Sequence, residues 1–393
     1  MFFQHFIFSV IITMEGINHE LPPPLDSEYL EVAWGIPKSD GKHTPMLIAR
    51  PKVTKHQVRF EVLYCGVCHS DVHTGSNHWG PCNFPFVAGH EFLGRVKEVG
   101  DMVTKFKVGD AVAVGCMVDS CKGCVNCELG DEQYCLTGST NTYNSKKCYG
   151  RVGGNQETYT AGGYSAGHTI HEDFAIKIPE GMVLEKAAPI MCAGITVYSP
   201  LKHWGATGDE KMVVGIVGIG GLGTMGIKLA RALGNDVMAI SSSAHKEGLA
   251  RGKGANMFAC SRDPESMKAQ AGKCDLILNT VSANHDINLY LPLLKKGGST
   301  IVQLGGVVRP HSINQIGLMM GRMSVAGSAI GGIRETQEVV DLCFRHNIYP
   351  DCELVEAKDI DECWRKLMES NADGIRYVLD IKKSLKNNQF MPQ

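Results

Sequence analysis

Four cysteines in one loop, Cys121, Cys124, Cys127 and Cys135, follow the spacing C-x2-C-x2-C-x7-C. Gaps of two residues let successive thiolates fold around a single ion, and Zn2+ takes four such ligands as a tetrahedron. Four protein ligands leave no open position, so this site would be structural. Iron–sulfur ligation is the rival chemistry for the same thiolates. Cys116, just upstream, reads as a bystander. A second set is scattered: Cys68 in GVCHSD, His90 in AGHEFLG and Cys192 in MCAGIT. Singly, each is a small core thiol or a hydrogen-bonded imidazole. Together they make a Cys2His set, which leaves one position for an exogenous oxygen and suits an ion acting as Lewis acid. Near Cys68 lie Ser70, Asp71 and His73. A hydroxyl can donate and accept a proton, and an imidazole titrates near neutrality, so Ser70 and His73 can form a proton path. Asp71 can accept from the far nitrogen of His90 and fix its tautomer. The plainer reading is that Ser70, Asp71 and His73 only cap a helix start.

A third constellation is Gly218, Gly220 and Gly223, with Gly221 and Leu222 between them, forming G-x-G-x-x-G. It follows the apolar run 212–217 and opens a set at helical spacing, Leu222, Met225, Gly226, Leu229, Ala230 and Leu233. That is the context a dinucleotide fingerprint requires. Gly218 would permit the turn, Gly220 the approach of a pyrophosphate, and Gly223 close packing of helix on strand. The helix N-terminus would face the phosphates. The next strand ends in Ser241, Ser242 and Ser243, followed by His245 and Lys246. An NAD enzyme usually has an acid there for the ribose hydroxyl. Hydroxyls and a lysine suit the 2′-phosphate of NADP instead.

These motifs carry a family resemblance. GVCHSDVH, AGHE, the four-cysteine loop, CAGITVYSPL, GIVGIGGLGTMGIKLA, LNTV and GSAIGG resemble the zinc-containing medium-chain alcohol dehydrogenases. The branch is that of the cinnamyl alcohol dehydrogenases and microbial NADPH-dependent aldehyde reductases, and the similarity runs from about residue 65 to 381. The resemblance implies two Zn2+ per chain, with Cys68, His90 and Cys192 as catalytic ligands. It gives Ser70 the substrate hydroxyl proton, and His73 the onward step through the cofactor ribose. It places Glu91 close enough to exchange with the metal's water. It points Ser241, Ser242 and Lys246 at the NADP phosphate. It makes Thr196, Val281 and the backbone of Ser328–Ile330 nicotinamide contacts. Trp79 and Ile330 are candidate apolar walls. The expected reaction is reversible hydride transfer between NADP(H) and a primary alcohol or aldehyde, by a homodimer joined through its cofactor domains. A quinone or enone reductase on the same scaffold is the alternative, although such relatives typically lack the metal ligands. A zinc-stabilised nucleic-acid-binding protein is more distant still.

These residues need two kinds of scaffold. A β-forming run at 57–67 enters the Cys-His turn, and residues 89–118 are short strands punctuated by glycine. This is β-rich, barrel-like material, and the family resemblance implies that it forms a GroES-like catalytic domain. From about 190, strands alternate with helices: 212–217, 237–241, 256–260, 276–280, 300–304 and 324–326 are six apolar strand candidates. Repeated β-α units imply a doubly wound parallel sheet. The expected division is a catalytic domain at 14–190, completed by 336–386, around an NADP-binding Rossmann domain at 191–335. Residues 14–50 read as an irregular lead-in with short strands, and 119–165 as loop. The helix expected at 335–345 and a strand near 377–381 should return the chain to the first domain.

Composition narrows the function classes. The chain has 393 residues, room for two domains, and a net charge of −2 gives no reason to expect a nucleic-acid or anionic-membrane partner. Fifteen cysteines, bunched at metal-ligand spacing, read as reduced thiols holding zinc and so favour the cytoplasm. The apolar start, residues 1–13, is too short to span a bilayer and lacks a basic leader, so it reads as an N-terminal extension. The partner expected is a small-molecule alcohol or aldehyde.

Overall fold

The computed structural model describes residues 26–146, 159–208, 210–369 and 374–385. The extension at 1–13 and residues 147–158 of the expected loop therefore lie outside the described residues. All six strand candidates form one parallel sheet in the order Met257–Cys260, Asp236–Ser241, Val213–Val217, Leu276–Asn279, Thr300–Gln303, Ser324–Gly327. The strand order reverses beside Val213–Val217, where a doubly wound sheet opens its ligand crevice. Helix Gly221–Ala232 follows that strand directly.

The other large sheet has seven strands and is mostly antiparallel. Its centre is Gln57–Gly66, flanked by Phe92–Val99 on one side and by the C-terminal strand Arg376–Asp380 on the other. The chain thus closes its first sheet with residues from its last segment. Strands Glu28–Gly35 and Thr44–Pro51 form a separate hairpin paired over eight residues each. This is more regular than the lead-in the sequence suggests. Within the loop at 119–165 the described residues include a short helix, Val125–Leu129, a 3-10 turn, Glu132–Tyr134, and a two-residue strand, Thr140–Asn141.

The two sheets share packing at their junction. One apolar cluster runs from Leu93, Ala113 and Ile176 through Ile190, Met191 and Ile195 to Val214, Ile216 and Val302. Helix Ala193–His203 is the bridge, packed against both Gly221–Ala232 and Ile333–His346. It begins directly after Cys192, so one of the scattered cysteines sits where the two sheets meet. Among the described residues, no helix is long and apolar enough to cross a membrane.

Candidate active site

Cys68 lies two residues past the strand Gln57–Gly66 and caps the short helix His69–Gly75. His90 lies just before the strand Phe92–Val99, and Cys192 just before helix Ala193–His203. Three elements from distant parts of the chain therefore converge. Cys68 Sγ and Cys192 Sγ are 3.9 Å apart, and His90 Nε2 is 3.3 Å from Cys192 Sγ. A tetrahedral ion with sulfur ligands at about 2.3 Å sets sulfurs about 3.8 Å apart. All three side chains are buried. The donor set and its spacing fit zinc.

Asp71 organises this triad from behind. It is fully buried, and its two oxygens accept four hydrogen bonds. Oδ1 takes the His90 ring at Nδ1, 2.9 Å away, and the Gly89 N–H at 3.2 Å. Oδ2 takes the Cys68 N–H at 2.9 Å and the Tyr164 hydroxyl at 3.2 Å. In the neutral ring, donation from Nδ1 to Asp71 would leave Nε2 as the acceptor facing the thiols. Asp71 also caps the helix, so the plain reading and the functional one both describe it.

The four loop cysteines form a second cluster. Their sulfurs lie within 4.8 Å of one another, with Cys124 and Cys127 at 3.5 Å and Cys121 and Cys127 at 3.9 Å. The Cys121 N–H points at Cys135 Sγ and the Leu136 N–H at Cys124 Sγ, the donors that thiolate ligands attract. Four sulfurs surround the centre, so an ion held there would have no open position.

The glycine turn meets the first cluster across a cleft of about 660 Å³ lined by Cys68, Ser70, His73, His90 and Cys192. Gly218, Gly220 to Gly223, Val281, Ser328, Ile330, Thr196 and Trp79 line the same cleft. Gly218 has φ of +90°, and a Cβ on Gly223 would stand 1.8 Å from the Gly218 carbonyl oxygen. A Cβ on Gly220 would meet nothing within 4 Å, so the backbone there faces open space that a pyrophosphate could fill. Ser241 closes its strand, its hydroxyl accepting the Ser243 N–H at 3.2 Å. Ser242 is exposed. Lys246 Nζ reaches back to the Ile219 carbonyl at 3.2 Å, which holds its charge beside the glycine turn.

Ser70 Oγ lies 3.7 Å from Cys68 Sγ. His73 is stacked on Trp79, and its Nδ1 is 3.0 Å from Nδ1 of His78. Burial lowers the His73 pKa, His69 and His78 lower it further, and Cys68 pulls the other way. Ser70 and His73 do not hydrogen-bond to each other, so a path between them needs a bridging hydroxyl. Glu91 is fully buried behind the cluster, and its Oε2 faces the Arg376 guanidinium at 3.4 Å.

Arg376 escaped the sequence reading. It is buried, lines the cleft and lies so close to Gly221 that a Cβ there would be 2.6 Å from its Cδ. Burial opposes its charge, but Glu91, Cys68 and Cys192 outweigh this and hold its pKa above the usual arginine range. Its Nε has no protein partner. A fixed cation thus stands at the helix N-terminus where phosphates would lie. Cys116, read as a bystander, belongs to neither cluster but does line the cleft.

A closed four-thiolate site and an open Cys2His site beside a dinucleotide turn define a zinc-dependent oxidoreductase by architecture. Residues 54–180 match the alcohol dehydrogenase GroES-like domain, and residues 221–345 match the zinc-binding dehydrogenase family. NADP-dependent alcohol dehydrogenase C 1 of Mycolicibacterium smegmatis is 44% identical over 338 residues, covering 86% of this chain and 94% of that protein. A probable cinnamyl alcohol dehydrogenase 6 of Arabidopsis thaliana is 41% identical over 353 residues, covering 90% and 94%. Among solved structures, a CAD from Helicobacter pylori complexed with NADP(H) superposes with a TM-score of 0.83 at 36% identity, over 91% of this chain and 99% of that one. The chain belongs to the zinc-binding alcohol dehydrogenases.

Proposed function

We propose that this enzyme reversibly interconverts a primary alcohol and its aldehyde with NADP(H) as hydride partner. One observation carries the reading: the Cys2His cluster and the glycine turn open onto the same cleft. Cys68, His90 and Cys192 would hold the catalytic zinc, and Cys121, Cys124, Cys127 and Cys135 the structural one. When bound, the catalytic zinc supplies Lewis acidity towards the substrate oxygen, and NADP(H) supplies or accepts the hydride.

The chain's own residues do the rest. Asp71 holds His90 in the tautomer that leaves Nε2 free. Ser70 Oγ, beside Cys68, takes the substrate hydroxyl proton during alcohol oxidation and returns it during reduction. His73 exchanges that proton onward, through a hydroxyl bridging the gap between them. The lowered His73 pKa keeps its imidazole neutral at neutral pH and able to accept. Gly218, Gly220 to Gly223 and the helix N-terminus seat the pyrophosphate, with Arg376 adding charge. Ser241, Ser242, Ser243 and Lys246 receive the 2′-phosphate. Thr196, Val281, Ser328 and Ile330 border the nicotinamide end, and Trp79 gives the substrate an apolar wall. The relatives named for NADP dependence support this choice of cofactor. Specificity constants test it: NADPH should be preferred over NADH, and a preference for NADH contradicts the phosphate site.

The proposed domain division is 14–190 and 336–386 around a cofactor domain at 191–335, and the presence of two separate large sheets supports it. A homodimer through the cofactor domains is the proposed assembly. Strand Ser324–Gly327 forms one edge of the parallel sheet, and an open edge is a template for a second strand. Beside it, helix Gln315–Gly321 exposes Ile316, Met319 and Met320. Light scattering at micromolar concentration should give twice the chain mass, and a monomer rejects this assembly. The reduced-cysteine chemistry supports a cytoplasmic location, which a tagged protein recovered from an exported fraction would overturn.

A further inference from the structure

Between its third and fourth cysteines, the four-cysteine lobe reaches across to another part of the molecule. Its target is the segment 328–332, which leaves the last parallel strand and leads into helix Ile333–His346. The Tyr134 hydroxyl accepts the Ala329 N–H at 3.0 Å. Glu132 Oε2 accepts the Ile333 N–H at 3.0 Å, satisfying a helix N-terminus whose cap, Gly332, has no side chain to do so. In return, Arg334 Nη2 donates to the Leu129 carbonyl at 2.6 Å. The two backbones nearly touch, since a Cβ on Gly332 would stand 1.7 Å from the Gly130 oxygen. On the opposite side, a Cβ on Gly331 would be 2.6 Å from the Ile195 side chain. The segment is therefore gripped between the lobe and the bridging helix.

Ile330 lies inside this grip. Its φ is +43°, a left-handed conformation that is an outlier for a β-branched residue. Such a conformation persists only where its surroundings over-determine it, and it gathers at functional sites. Ile330 also lines the cleft, as do Ser328 and Ala329.

We propose that Tyr134 and Glu132 are positioning residues that clamp the segment 328–332 to the four-cysteine lobe and so shape the nicotinamide end of the cofactor site. This rests on the dinucleotide reading given above. The closed zinc site then serves hydride transfer at a distance: it fixes the lobe, the lobe fixes the Ala329 and Ile333 amides, and these hold Ile330 in place. Neither residue needs to touch the cofactor.

The clamp acts on one end of the cofactor only, and this makes it testable. Binding of NADP+ and of 2′-phospho-ADP-ribose, which lacks the nicotinamide, would be measured by calorimetry on zinc-loaded protein. The parent would be compared with Tyr134→Phe, Glu132→Ala and Glu132→Gln. Tyr134→Phe and Glu132→Ala should each weaken NADP+ about three- to tenfold, the worth of one net hydrogen bond. They should leave 2′-phospho-ADP-ribose affinity and the zinc content as in the parent. Glu132→Gln keeps an acceptor oxygen and should restore NADP+ affinity. Unchanged NADP+ affinity in both variants overturns the proposal. Equal weakening of both ligands also overturns it, because that is the signature of a merely structural contact. A parent that binds neither ligand overturns the dinucleotide reading, and the clamp with it.

Discussion

Replacing Asp71 by asparagine removes one charge and almost no volume, so its effect can be worked out from the four donors that converge on it. His90 Nδ1 and the Gly89 N–H share one oxygen, while the Cys68 N–H and the Tyr164 hydroxyl share the other. An asparagine has a single acceptor oxygen. If that oxygen keeps His90 and Gly89, its NH2 group meets the Cys68 N–H, donor against donor. If the amide is turned, the NH2 meets the His90 ring donor and favours the wrong tautomer. Either way a buried donor loses its partner, at about 1–3 kcal/mol. At about 1.4 kcal/mol per factor of ten, open-site zinc affinity should fall roughly 10- to 100-fold, the range expected of such outer partners. Competition against a graded series of chelators, followed by metal analysis, measures this. The parent should hold two zinc ions. Asp71→Asn should release one at weaker chelation and keep the other in the closed site. Retention of both with parental affinity would refute the role given to Asp71, and so would loss of both together.

Cys124→Ala breaks the closed cluster, so one zinc should be lost and thermal unfolding should show destabilisation well beyond the ~1 kcal/mol of an ordinary substitution; an unchanged unfolding temperature would deny the site a structural role. Lys246→Ala should weaken NADPH use about 10- to 100-fold, as expected for a charge-assisted bond of roughly 1.5–3 kcal/mol, and leave NADH use nearly unchanged; equal losses for both cofactors would remove Lys246 from the phosphate site. Burial, His69 and His78 lower the His73 pKa, so His73 should protonate only below the ordinary imidazole range. Alcohol oxidation should then decline on an acid limb below that range, and His73→Asn should abolish the limb; an unchanged pH profile in this variant would exclude His73 from the proton path.

The parts of this site that were legible in the sequence are those set by local chemistry. The six parallel strands are short apolar runs bounded by polar or glycine-containing turns, and each forms within about two residues of its expected ends. The glycine turn is readable because Gly218 needs a positive φ and Gly223 leaves no room for a Cβ. The ligand cysteines stand out by spacing and by neighbours. Arg376 was not legible because nothing local marks it. It reaches the site only because Arg376–Asp380 pairs with Gln57–Gly66, a contact between opposite ends of the chain. Tyr164 is invisible for the same reason, meeting Asp71 across 93 positions. The contacts of Tyr134 and Glu132 with residues 329 and 333 were equally hidden, since a loop's docking partner leaves no periodic trace in either segment.

Turnover of NADPH with a panel of aliphatic, allylic and aromatic aldehydes, followed by nicotinamide absorbance in the parent and in Cys68→Ala, tests the central claim most directly. Zinc-loaded parent should oxidise NADPH with at least one class of aldehyde and reduce NADP+ with the matching alcohol. Cys68→Ala should keep the fold and the closed-site zinc yet lose turnover by several orders of magnitude. A parent carrying both zinc ions that turns over no aldehyde, or a Cys68→Ala variant as fast as the parent, would contradict a zinc-dependent alcohol dehydrogenase working through this cleft.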